Sequence, residues 1–168
     1  GLNKAGIYGL AQIMTSVIQA PQRGIVAASV GPLSRAWKEK NMGLLQRVYQ
    51  RSSINMLIFA CSLFTLIALN YKDAIITFGL KDSYLLGFDA FIFLGLCRIV
   101  DQGTGVNAQI ISTSVYWKFE LISGVILLML ILPLTYILAK QYDILGPAIA
   151  ALISTAIYNI VLIVFLWK

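Results

Sequence analysis

Apolar residues run along this chain in long unbroken blocks, and polar residues gather between them. Uncharged stretches occupy 52–71, 121–139 and 144–167. A fourth block, 83–104, carries Asp89 early and Arg98 and Asp101 late, and an opening block, 5–34, carries Arg23 as its one charge. A bilayer core about 30 Å thick needs ~20 largely apolar residues in a helix. The blocks therefore predict five membrane-crossing helices. They are continuously apolar and not alternating, which disfavours a transmembrane β-barrel. Pro21, Gly24, Gly95 and Pro133 fall inside the blocks, a habit that membrane helices tolerate better than soluble ones. The predicted fold class is all-α, a polytopic transmembrane helical bundle.

Composition agrees. Hydrophobic residues make up 59% of the 168 positions and charged residues only 12%, about half the ~25% of a soluble domain. That is too little charge to cover a water-facing surface. Histidine is absent, which removes the commonest general base and metal ligand. The two cysteines, Cys61 and Cys97, lie in apolar surroundings outside any CxxC spacing and read as small buried hydrophobes. No metal cluster and no cofactor motif is present, and the loops are too short to house a nucleotide-sugar site. An enzyme is not expected.

Charge sets the orientation. The link 35–51 holds Arg35, Lys38, Lys40, Arg47 and Arg51 against Glu39 alone, so the positive-inside rule places it in the cytoplasm. Alternation then puts Gly1–Lys4, 72–82 and 140–143 outside, with 98–120 and the end at Lys168 inside. Trp37, Leu44, Leu45, Val48 and Tyr49 recur in the basic link at spacings of three and four, which predicts an amphipathic helix on the inner membrane surface. The net charge of +6 is topological. Its basic residues flank spans and form no nucleic-acid-binding domain. An odd number of spans, with the termini on opposite sides, reads as one part of a longer protein.

Three strings carry a further signal. They are Gly6-Ile7-Tyr8-Gly9-Leu10-Ala11 with Pro21-Gln22 and Pro32; Asp101-Gln102-Gly103-Thr104-Gly105-Val106-Asn107 running on to Trp117; and Tyr142-Asp143-Ile144-Leu145-Gly146-Pro147-Ala148 with Tyr158-Asn159. In this order and spacing the chain resembles, from Gly6 to Lys168, the C-terminal half of bacterial polysaccharide-biosynthesis flippases. These are O-antigen-type transporters of the multidrug/oligosaccharidyl-lipid/polysaccharide exporter superfamily. Pro147 departs from the pattern, where a small residue such as alanine is expected. The resemblance implies most of one lobe of a two-lobed, MATE-like transporter in the bacterial inner membrane. It also implies an undecaprenyl-pyrophosphate-linked oligosaccharide as cargo, membrane lipids as surroundings, and a proton or sodium ion as coupling partner. A multidrug exporter of the same superfamily, or a structural membrane subunit without cargo, are the competing readings.

Moving a polar anionic headgroup through hydrocarbon requires fixed positive charge and hydrogen-bonding groups inside the membrane, where such residues are rare. Arg23, just after Pro21, is the leading phosphate-facing candidate, with snorkelling to the headgroups as the alternative. Arg98 and Asp101 share a helix face and are expected either to pair or to contact a headgroup. Asn107 belongs to a polar stretch after Gly103 and Gly105, two glycines suited to breaking a helix there. Asp89 reads as an interfacial carboxylate or as the coupling site.

Overall fold

The computed structural model describes residues 2–167, with side chains from Lys4 onward; Gly1 and Lys168, assigned above to opposite sides of the membrane, lie outside the described residues. Every regular element among them is helical: α1 (Leu2–Ile18), α2 (Ala20–Lys38), α3 (Met42–Thr77), a 3₁₀ turn (Asp82–Gly87), α4 (Phe88–Gly103), α5 (Asn107–Ser112), α6 (Trp117–Tyr142) and α7 (Leu145–Leu166). Four segments are long and apolar enough to cross a membrane: Met42–Thr77, Asp82–Gly103, Trp117–Tyr142 and Leu145–Leu166. By length and composition this is a membrane protein.

The opening block differs from the single helix expected over 5–34. It is two helices, broken at Gln19. Pro21 has no N–H, so the Val17 carbonyl loses its helical partner, and the proline ring crowds that carbonyl. The last turn of α1 tightens instead, with Gln19 N–H donating to the Ser16 carbonyl at 3.1 Å. Alone, the 17 residues of α1 reach only about 26 Å.

The basic link also differs from expectation. Residues 35–51 are not a separate surface helix. They comprise the last turn of α2, a short turn through Glu39–Asn41, and the first ten residues of α3. Asn41 caps α3, its side chain accepting from Leu44 N–H at 3.0 Å. No proline and no glycine beyond Gly43 interrupts the following 36-residue helix, which at about 54 Å overshoots a bilayer core by several turns. Leu45, Val48 and Tyr49 face protein: they pack with Trp37 onto Leu33, Met56, Val106 and Ile110.

Side-chain pairings fix the directions of the rods. Gly87 abuts Ile7 at one end of α1, and at the other end Gln102 bonds the Ile18 carbonyl, so α1 and α4 run parallel. Gly95 abuts Phe64, Gly103 abuts Leu57, and Gly105 abuts Ser53, so α3 runs antiparallel to α4. Cys97 meets Thr155 and Thr104 meets Asn159, which sets α7 parallel to α4. One end of the bundle therefore carries Lys81 and Asp82, and the other the basic α2–α3 turn.

Two apolar clusters fill the bundle. The larger, away from the basic end, contains Ile18, Ala60, Tyr71, Phe91 and Ala148, with the Phe91 ring 5.7 Å from Phe64 and 5.4 Å from Tyr71. The smaller gathers at the basic end around Leu33, Met56, Val106 and Ile110. Hydrocarbon solvates leucine as well as another helix does, so close packing holds these rods together and not flight from water. Buried Gly146, Ala148, Ala150 and Ser154 on α7 serve that closeness. Only Ser123 of α6 is buried, leaving that helix an almost wholly apolar outer face.

Candidate functional site

Between the two apolar clusters lies a polar layer. It forms where two rods are interrupted at the same level. The α1–α2 break frees carbonyls that water would satisfy in a soluble protein; in a membrane, protein must do so. Gln102, fully buried, donates Nε2–H to the Ile18 carbonyl at 3.0 Å. Gln22, in the first turn of α2, donates to the Asp101 carboxylate at 3.3 Å. Thr104 donates to the Asn159 side-chain oxygen at 2.7 Å, and Asn159 Nδ2 in turn donates to the Thr155 carbonyl at 3.0 Å. The Ser29 and Ser52 hydroxyls meet at 3.2 Å.

The second interruption follows α4. Gly105 takes a left-handed φ of +72°, and a Cβ there would collide with Ser53, so glycine is required on both counts. This turn swings the chain into α5, which the Trp37 indole secures by donating to the Ile110 carbonyl at 2.9 Å.

The five sequence-predicted residues do not form one site. Asp101 belongs to the layer. Arg98 lies one turn earlier on α4, half-buried, with a buried Nε that has no partner. Its expected ion pair with Asp101 is absent among the described residues; the spacing of three puts both on one face, but Gln22 takes the carboxylate instead. Arg23 is exposed on α2. Asp89 is exposed in the first turn of α4, about 18 Å along the axis from Asp101, where the helix N-terminus favours a carboxylate.

Asn107 is 1% exposed, and neither side-chain atom has a partner. Such a vacancy costs about 1–3 kcal/mol per group. Asn107 stands in the wall of a cavity of about 650 Å³ between α2, α3, α5 and the end of α7.

One feature escaped sequence reasoning. Gln12 and Ser16 are exposed on α1, four residues apart and so on one face, beside the exposed Ile13 and Val17; Arg23 is exposed on α2, beyond the break at Gln19. Because residues 7–18 run beside Gly87–Gln102, Gln12 sits at mid-span and Arg23 near its basic end. The helical spacing was the available signal, hidden by the surrounding apolar residues. Gln22, Gln102 and Asn159 lay within the strings that carried the resemblance, but their partners were not readable there.

No family model, curated protein or solved structure matches the chain. Among the described residues no group of acidic, cysteine or histidine side chains is arranged to hold a metal ion.

Proposed function

We propose that this chain forms one lobe of a transporter that moves a lipid-linked oligosaccharide across the bacterial inner membrane for surface-polysaccharide assembly. The observation that carries the reading is the exposure of the Gln12 amide half-way along α1, with Arg23 exposed beyond the α1–α2 break. Hydrocarbon cannot satisfy an amide at mid-span, whereas a guanidinium near the end of a span either snorkels to the headgroups or faces water. An amide exposed at that depth calls for an aqueous cavity, and a cavity that also holds the Arg23 cation suits a pyrophosphate among sugars. No bond is made or broken; the work is to lower the cost of carrying charge through a low-dielectric region.

On this reading the kinked α1–α2 rod is a fifth crossing, since its two helices together match the length of α3. The kinked face lines the cavity, and α6 with its apolar surface faces lipid. For ion coupling, Asp101 is better placed than Asp89, because it lies in the polar layer with the unpaired Arg98 one turn away.

Reconstituted full-length protein provides the test, with a fluorescent undecaprenyl-pyrophosphate oligosaccharide as cargo. Arg23→Ala is expected to slow flipping at least tenfold with insertion unchanged, and Arg23→Lys to restore part of the rate. With Cys61 and Cys97 replaced by alanine, cysteines at Gln12 and Ser16 are expected to react with a membrane-impermeant maleimide. Full flipping by Arg23→Ala, or two unreactive cysteines, would overturn the reading.

A further inference from the structure

We propose that the outward face of α3 is an interface with a second copy of this chain, the two α3 helices lying side by side and parallel in the membrane. The proposal does not depend on transport, because Gln12 and Arg23 belong to the α1–α2 rod and take no part in it.

The two sides of α3 differ in kind. Ser52, Met56, Ala60, Tyr71 and Ile75 are buried in the bundle. On the opposite side Asn55, Ile58, Ser62, Thr65, Leu69 and Lys72 are all exposed, at steps of three and four that repeat every seven residues. A second helix packs against a seam of that period in a left-handed pair. Within one copy the seam lies open, with Ile58 58% and Leu69 77% exposed. From Asn55 to Leu69 it runs about 21 Å, inside the uncharged block 52–71.

Two features favour protein over lipid on this face. Asn70, further along α3, folds its amide back onto the Leu66 carbonyl at 2.8 Å; Asn55 makes no such bond among the described residues, and hydrocarbon offers it none. Ser62 and Thr65 are small and carry hydroxyls, which lets two backbones approach closely. The exposed residues of α6 between Leu121 and Leu132 are all apolar, as a lipid-facing helix requires.

Two further features select a second copy as the partner. A carboxamide carries both donor and acceptor groups, so Asn55 is complemented by its own image across a two-fold axis, and a lone asparagine on such a seam fixes register. Lys72 and Asp73 are exposed neighbours of opposite sign on the two flanks of the seam. Every copy enters the membrane in one orientation, so paired α3 helices are parallel. A two-fold axis along the membrane normal then sets Lys72 of each copy against the partner's Asp73. These exposed pairs add little affinity and set the register. Arg51 continues the series below Asn55 at headgroup level, where its long side chain reaches lipid phosphate.

The experiment uses full-length protein in phosphatidylcholine–phosphatidylglycerol vesicles. Cys61, Cys97 and any further native cysteine are replaced by alanine, and each variant carries one new cysteine. Under mild oxidation, Ser62→Cys and Leu69→Cys are expected to join two copies at least fivefold more than Met129→Cys on the apolar face of α6. In the Ser62→Cys background, Asn55→Leu is expected to lower the yield at least threefold; Asn55 is exposed, so the bundle itself is undisturbed. Lys72→Asp is expected to do the same by setting acid against acid in both pairs, and adding Asp73→Lys is expected to restore the yield. Arg23→Ala is expected to leave cross-linking unchanged, which separates this interface from the transport reading. Equal linking at positions 62 and 129 would overturn the proposal. So would a yield untouched by both Asn55→Leu and Lys72→Asp, or an unlinked Ser62→Cys thiol that reacts with an impermeant maleimide, since the face would then meet water.

Discussion

Gly146→Ala is the sharpest perturbation of the bundle. Gly146 is buried in the first turn of α7, and a Cβ there would fall on the Leu138 carbonyl and Ala139 nitrogen of α6. Those are backbone atoms and cannot turn aside as a side chain does, so α6 and α7 must separate. α6 is joined to the bundle through α7 and the short α5, and separation gives up packing that nothing else replaces. Overpacking of this kind costs about 1–3 kcal/mol, with a backbone collision at the upper end. A first-turn alanine returns only part of the ~1 kcal/mol that separates it from glycine in a helix. The net loss is about 2 kcal/mol, a factor of roughly 30 in the folded-to-unfolded ratio. Gly124→Ala is the internal control. It lies mid-helix on α6 with nothing within 4 Å of its Cβ position, so it gains about 0.5–1 kcal/mol from helix preference alone. Reversible unfolding in mixed micelles, followed by tryptophan fluorescence against increasing dodecyl sulfate, measures both. Variants of equal stability, or a more stable Gly146→Ala, would refute the close approach of α6 and α7.

Gln102→Leu strips the Ile18 carbonyl of its donor but also removes the buried, unpartnered Gln102 Oε1, and the same titration is expected to show a loss of about 1 kcal/mol. Asn41→Ala removes the cap of α3 and is expected to cost about 1 kcal/mol, rescued largely by Asn41→Asp or Asn41→Ser. With Cys61 and Cys97 replaced by alanine, Lys40→Cys and Lys81→Cys are expected to react with an impermeant maleimide from opposite sides of the membrane, Lys40→Cys from the cytoplasm. Labelling from one side only would deny that α3 crosses.

Much of the fold is legible in the sequence because hydrocarbon imposes a one-dimensional demand. A run such as 144–167 declares its state by length and lack of charge, without reference to what it touches. The opening block shows where that demand stops. Its length and apolar content fit one span, but a single missing N–H at Pro21 divides it. Partnerships are the illegible part. Gln22 meets Asp101 across 79 positions and Gln102 meets Ile18 across 84, so neither pairing leaves a local trace. For the same reason the spacing of Arg98 and Asp101 gave a shared face without giving the partner. Asn107 is recognisable as a polar residue after a helix break, but the space beside it comes from four helix ends that meet only in three dimensions. The basic link misled because its periodicity is real. Its apolar side covers the inner cluster, and periodicity does not distinguish a protein surface from a lipid one.

The polar layer has a mechanical consequence that follows from where the rods are broken. A continuous helix resists bending through its ladder of backbone hydrogen bonds, and sharp bends occur where that ladder is interrupted. The ladder is interrupted at Gln19 between α1 and α2 and again at Thr104–Val106 between α4 and α5, and the Gln102–Ile18 bond holds the two interruptions at one level. Each apolar cluster lies to one side of that level, so each side keeps its own packed core. Of the rods that pass it, α3, α6 and α7 run unbroken, and there α3 carries the hydroxyls of Ser52 and Ser53, α6 that of Ser123, and α7 Thr155 and Asn159. Two of the five rods are therefore interrupted at the polar layer, so bending the bundle at that level opens the backbone ladder of α3, α6 and α7 alone.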